Sequence, residues 1–348
     1  MNRENFIDAS KGIGILLVVL GHVHNVPPYL QKWIYSFHMP LFFFISGYLF
    51  NSAMYKQYKT SEFIKNKLRS LIIPYFLMAL ICYFLFILFP VISSILRGDT
   101  QPKLPILTKY LLGILYSRGS IDWLPNCSPL WFLTCLLCAH IIFFVVNKKI
   151  RAHVKLTICL LLIGFAGYLT SQYLPFKLPW NIDTALTAVV IMGIGYFYRA
   201  YGLFKLTNKH QILFIFIFLA INLLSCYYNT GFVGNRLVDM ASNRYGNILL
   251  FYLGGISGTL AIIHISATIL TTNFLIFLGK NTMPIIGFNY AVIRLVDTTL
   301  ANFFPYVWYV SFIIQVISLS IMILVVNNFS VLTYLCYGKS SGNIKLQY

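Results

Sequence analysis

Two histidines stand inside apolar sequence near the start of the chain, His22 at the end of GIGILLVVLGH and His38 in SFHMPLFFF. An imidazole is the side chain whose ordinary pKa lies nearest neutrality, so it can accept a proton from a hydroxyl and later return it. Ionisable groups are costly in helices this apolar, and by default they mark a functional site. The alternative is a pair of structural histidines hydrogen-bonded between packed helices. Lys11 precedes His22 by eleven residues, close to three helical turns. A continuous helix therefore puts both on one face, about 16 Å apart along the axis. Asp8 lies one turn before Lys11 and can balance its charge. His24 follows His22 by two positions and points to another face.

The elements that must hold these residues are membrane helices. Of 348 residues, 59% are hydrophobic and only 10% charged, and apolar runs of about 20 residues recur, each long enough to span hydrocarbon as a helix. The fold expected is all-α and integral to the membrane, with about ten spans. They fall near residues 12–26, 33–53, 70–96, 129–146, 156–174, 183–198, 211–228, 246–270, 282–300 and 306–326. Pro27 and Pro28 form the turn of the first hairpin. With the first helix running to Pro27 and the second starting at Trp33, His22 lies roughly 7 Å below the one and His38 roughly 7 Å below the other, at similar depth. A single domain over residues 1–348 is expected, with a polar tail from about 328.

The net charge of +18 would suggest nucleic acid in a soluble protein. Here most cations fall in loops between spans, above all in residues 55–69 and 147–155. Such bias reports topology, with both termini cytoplasmic and the 97–128 loop on the opposite side. No nucleic-acid-binding module is visible. The start of the chain mixes acidic and basic residues and lacks a small-residue cleavage site, unlike a signal peptide. Cys135-x-x-Cys138 has redox-like spacing but lies inside an expected span with no second ligand pair, so no metal is expected.

Asp8-x-x-Lys11-Gly12, Gly21-His22 and FHMPLFFFISGYLF from Phe37 to Phe50 together closely resemble the acyltransferase-3 family. Its members are integral membrane proteins that transfer acetyl or other acyl groups to sugars of bacterial surface polysaccharides. The family's basic-x10-His motif falls on Lys11 and His22, with Lys where many members have Arg. SPLWFL (128–133), LPWNIDTALTA (178–188) and LGKNTMPIIGFN (278–289) resemble further family segments less sharply. Many relatives have histidine where this chain has Asn289, so no catalytic role is carried to that position.

The resemblance implies that His22 is the main catalytic residue, with His38 assisting or holding it. It implies acetyl-CoA as cytosolic donor, a glycan or lipid-linked saccharide as acceptor, and a place in a bacterial cytoplasmic membrane. It also points to Lys65, Lys67 and Arg69 as donor-binding candidates, because the family has a basic motif at the start of the third span. Positive-inside bias alone explains the same lysines. Lys11 can meet a donor phosphate or anchor its helix with Asp8. Trp131 can stack on a sugar or serve as an ordinary interfacial aromatic. Ser46 and Gly47 read as a packing pair, Asp183 as a helix cap, His264 as an inter-helix hydrogen bond, and Arg294 with Asp297 as a pair. The rival class is a proton-coupled transporter or lipid-saccharide flippase in which the two histidines relay protons.

Overall fold

The computed structural model describes residues 5–55, 57–98, 104–119, 122–204, 210–230, 237–300 and 307–338, and these are all-helical apart from one isolated bridge between Asp239 and Arg244. The first hairpin is α1 (Asn5–His22) and α2 (Pro28–Tyr48). Pro28 occupies the first turn of α2, where its missing N–H would have no helical partner anyway. α3 runs as one helix over Thr60–Leu96. Its turns widen at Leu68–Ile72 and again at Phe84–Leu88. Pro74 and Pro90 each follow four residues after a carbonyl in one of those turns, which they cannot bond and would crowd; the wider winding relieves the clash.

Besides a one-turn helix at Ser52–Tyr55, the other helices among the described residues are α4 (Leu104–Tyr116), α5 (Ser128–Lys149), α6 (His153–Tyr173), α7 (Pro179–Ala200), α8 (Gln211–Thr230), α9 (Ile248–Thr268), α10 (Asn273–Lys280), α11 (Thr282–Leu300), α12 (Trp308–Asn328) and α13 (Ser330–Tyr337). Among the described residues, eight helices are long and apolar enough to cross a membrane: α1, α3, α5, α6, α7, α8, α9 and α12. The second and ninth expected spans, α2 and α11, are helices of 21 and 19 residues. Gln31, Lys32 and His38 in the one, and Arg294 and Asp297 in the other, keep them below that apolarity. The outward residues of α6 and α8 are apolar, among them Leu161, Leu162, Phe165, Leu213 and Phe216, as a lipid-facing surface requires. This is a multi-pass membrane protein.

Three expectations change. The basic stretch 55–69 is largely helical, because α3 already starts at Thr60. The 97–128 loop contains a helix, α4. The polar tail from 328 begins with α13, which ends on Gly338 in the left-handed conformation. Lys56, Lys339 and Lys345 lie outside the described residues.

The chain forms two compact units. One comprises Met1–Thr60, Ala139–Lys177 and Ile182–Thr282; the other comprises Ser61–Cys138, Leu178–Asn181 and Met283–Tyr348. In lipid there is little hydrophobic gain from pairing helices, so close packing at small residues carries the association. In the first unit α1 and α10 meet at two glycines. A Cβ on Gly12 would strike the Leu275 carbonyl, and one on Gly279 the Asp8 carbonyl. α2 crosses α7 the same way, with Gly47 against the Met192 carbonyl and Gly195 against that of Phe44. In the second unit Tyr75 donates to the Ile114 carbonyl at 2.6 Å, tying α3 to α4.

Candidate active site

α1 is unbroken from Asn5 to His22, so Lys11 and His22 do share a face about three turns apart. Lys11 Nζ lies 2.7 Å from Asp8 Oδ1, and the Asp8 side chain is buried. The Asp8 backbone also receives Gly279 of α10. The ion pair therefore sits on the α1–α10 contact and helps anchor it.

His22 is the last residue of α1. Its Nδ1 is 2.7 Å from the Val18 carbonyl. A carbonyl can only accept, so Nδ1 carries the proton and Nε2 carries the lone pair. His38 repeats the arrangement one helix on, with Nδ1 2.8 Å from the Ile34 carbonyl. Each helix thus fixes its own imidazole in the tautomer a general base needs, using the carbonyl one turn back. Between them stands Tyr35, its ring centroid 6.1 Å from that of His22 and 4.9 Å from that of His38. Gly21 makes room: a Cβ there would press on the Tyr35 ring at 3.1 Å. Gln31 Nε2 donates to the Gly21 carbonyl at 3.1 Å and pins the start of α2 to the end of α1. The two imidazoles are near enough to interact electrostatically.

The depth argument changes. α2 begins at Pro28, not near Trp33, so His38 lies roughly 15 Å along its helix rather than 7 Å. Tyr35, one turn nearer the hairpin turn, still lies within 6.1 Å of His22 and 4.9 Å of His38, ring centroid to ring centroid.

Sequence reasoning missed Tyr35 and Asp239. The Asp239 carboxylate lies within electrostatic reach of His22. It belongs to a folded turn over residues 237–245 in which Asp239 and Arg244 exchange backbone hydrogen bonds, both 2.9 Å. Thr184 Oγ1 donates to the Met240 carbonyl at 2.9 Å, and Asn229 Nδ2 to that of Tyr245 at 2.9 Å. Val238, Met240, Asn243 and Tyr245 are buried. No motif marks Asp239. The available signal is scarcity: with 8 acidic residues in the chain, each one in a loop between spans needs a reason.

The other candidates fall elsewhere. His24 is exposed. Ser46 Oγ donates to the Phe42 carbonyl at 2.8 Å, and its neighbour Gly47 makes the helix crossing. In the second unit, Lys65 and Arg69 are exposed on the first turns of α3, and Lys67 Nζ lies 5.7 Å over the Phe63 ring. Trp131 is buried, with Gly119 packed against its ring; it is part of a packed wall rather than an open stacking platform. Asn289 is wholly buried, and neither polar atom of its amide has a hydrogen-bond partner among the described residues. Arg294 and Asp297 reach separate partners, Asn126 at 3.1 Å and Ser311 at 2.6 Å, because their helix faces two neighbours. Among the described residues, no three His, Cys, Asp or Glu side chains gather as a metal-ligand set.

The acyltransferase-3 family profile, described as an acyltransferase domain, matches residues 4–327. The chain belongs to the acyltransferase-3 family. The hairpin site and most of both compact units fall within the matched region. Among curated proteins, nodulation protein NolL of Mesorhizobium japonicum is 40% identical over 67 residues, 16% of this chain and 18% of the relative. NolL of Sinorhizobium fredii is 48% identical over 58 residues, 14% of this chain and 16% of the relative. The chain thus matches less than a fifth of the length of these relatives. No solved structure matches it significantly. Within the family frame, the hairpin offers a proton acceptor of fixed tautomer and a second imidazole beside the same aromatic ring, and the 237–245 turn offers a carboxylate within electrostatic reach.

Proposed function

We propose that this acyltransferase-3 protein is a membrane O-acetyltransferase. It moves acetyl from cytosolic acetyl-CoA to a hydroxyl of a cell-surface glycan or lipid-linked saccharide, in a bacterial cytoplasmic membrane. The observation that carries the reading is the fixed tautomer of His22, with Nδ1–H held by the Val18 carbonyl and Nε2 left as the basic nitrogen. The acceptor hydroxyl gives its proton to Nε2 while its oxygen attacks the thioester carbonyl. The C–S bond then breaks, and the departing thiolate takes the proton back from the imidazolium. Asp239 stabilises that transient cation. His38, held the same way, positions His22 through Tyr35 or receives its proton. Lys65, Lys67 and Arg69 attract the polyanionic donor, and Lys11 is a further phosphate candidate at the start of α1.

The test is transfer of radiolabelled acetyl from acetyl-CoA to extracted glycans by membranes holding wild-type protein or His22→Ala. Label in the glycan with wild type alone supports the enzyme. Absence of label with both, alongside His22-dependent proton-coupled flux, would replace it with a transporter.

A further inference from the structure

The redox-like spacing in the sequence is Cys135-x-x-Cys138, yet the fold brings a different pair together. Cys138 Sγ faces the Trp180 carbonyl at 3.9 Å. Cys82 on α3 and Cys127, in the turn that leads into α5, lie far apart in sequence, but both line one small cavity, near enough for each thiol to feel the other. Tyr83, Tyr110, Ile114 and Trp123 form much of the remaining wall. Both cysteines are buried and both are free thiols.

Separate contacts hold each partner. Cys82 Sγ faces the Gly287 carbonyl of α11 at 4.0 Å. The Cys127 turn is fixed by its own backbone, with Cys127 N donating to the Leu124 carbonyl at 3.3 Å and Leu130 N to that of Cys127 at 2.9 Å. The Trp123 carbonyl packs on Gly113, the Trp123 ring lies 5.3 Å from Tyr116, and Asn126 accepts from Arg294 at 3.1 Å. A disulfide forms only where the backbone already delivers two Cβ atoms to within a few ångströms. Two thiols lining one small cavity, each on an independently anchored element, are placed to meet that need.

We propose that Cys82 and Cys127 are the site of a reversible disulfide that staples the turn before α5 to α3. The thiolate of one attacks a disulfide of the oxidant, either a small-molecule disulfide or a thiol–disulfide oxidoreductase, and forms a mixed disulfide. The second thiolate displaces it, so that two S–H bonds give one S–S bond and the oxidant leaves as two thiols. Charge bias assigns this turn to the side away from the basic loops, where an oxidising environment supplies such a partner. The closed bond fixes one wall of the cavity to another.

The experiment uses the full-length protein in detergent, oxidised with diamide or oxidised glutathione. Remaining thiols are then blocked with N-ethylmaleimide, and the digest is read by mass spectrometry. The expected result is a linked pair of peptides carrying Cys82 and Cys127, at least about tenfold over any other pair, reversed by dithiothreitol. The link should disappear when the chain is unfolded in dodecyl sulfate before oxidation. Cys127→Ser should leave Cys82 as a single blocked thiol. Recovery of both cysteines as maleimide adducts after oxidation would overturn the proposal, as would a Cys135–Cys138 link formed in preference. The wild-type measurement decides the matter even if the serine variant folds poorly.

Discussion

His264 and the hairpin histidines are the same residue in the same kind of place, an apolar membrane helix, yet they are held differently. His264 is completely buried in α9. Its Nε2 meets the Tyr198 hydroxyl at 3.2 Å, and the rings of Phe204, Phe218 and Phe214 lie nearly parallel to it at 5.4, 5.8 and 6.4 Å. Its polar contact and its faces serve packing between helices. His22 and His38 instead satisfy Nδ1 on their own helix and share a tyrosine. Burial alone therefore does not separate a structural imidazole from a chemical one. What separates them is which nitrogen the surroundings occupy, and with what.

The largest effect should come from His22→Ala, which removes the base: acetyl transfer falls by about 10²–10⁴-fold, with expression and detergent melting near wild type. Retained activity within a few fold would break the contrast at its centre. Next, Asp239→Asn keeps shape and removes charge. It should lower kcat about tenfold, which corresponds to roughly 1.4 kcal/mol in the barrier, and leave KM for acetyl-CoA unchanged. A rise in donor KM with normal kcat would instead place Asp239 in binding. His264→Ala sharpens the contrast from the other side. It should cost stability, about 0.5–1.5 kcal/mol for the lost hydrogen bond to the Tyr198 hydroxyl, and change kcat at most a few fold in whatever protein folds. A kcat loss as deep as that of His22→Ala would make the two regions equivalent.

The hairpin was legible because its signals are local: apolar runs, a proline turn, and histidines at fixed spacing from Lys11. His264 as an inter-helix bond was legible for the same reason, since a lone imidazole in an apolar run needs one partner. Helix ends were less so. α1 keeps going through Asp8 and Lys11 because those two pair with each other, and α3 keeps going through its lysines because charged residues are good helix formers at an exposed end. Tyr35 and Asp239 were not legible. Tyr35 matters only because Gly21 lets α1 approach it, and Asp239 only because a turn distant in sequence folds back within electrostatic reach of His22. Arg294 and Asp297, three apart on one helix, looked like partners, but a helix packed on two sides offers each a closer one.

The smallest effect concerns the basic turns of α3 and separates a surface charge from a site. Lys65 and Arg69 are exposed and Lys67 is partly so, so any single contact with a donor phosphate is solvated and worth little. Together the three raise the local concentration of a polyanion and its on-rate. Replacing all three with Gln should therefore raise KM for acetyl-CoA by about three- to tenfold at low salt, with acceptor KM and kcat held. The difference should shrink as ionic strength rises, because exposed charges are screened beyond about 8 Å at physiological salt. If these cations serve topology alone, the variant inserts poorly or inverted, and the correctly oriented fraction shows a wild-type donor KM at both salt concentrations. Measuring purified, oriented protein at two ionic strengths tells these apart. A salt-independent rise in KM would point instead to a desolvated contact. Lys11 would then be the residue to examine, since its partner Asp8 is buried and their ion pair is formed.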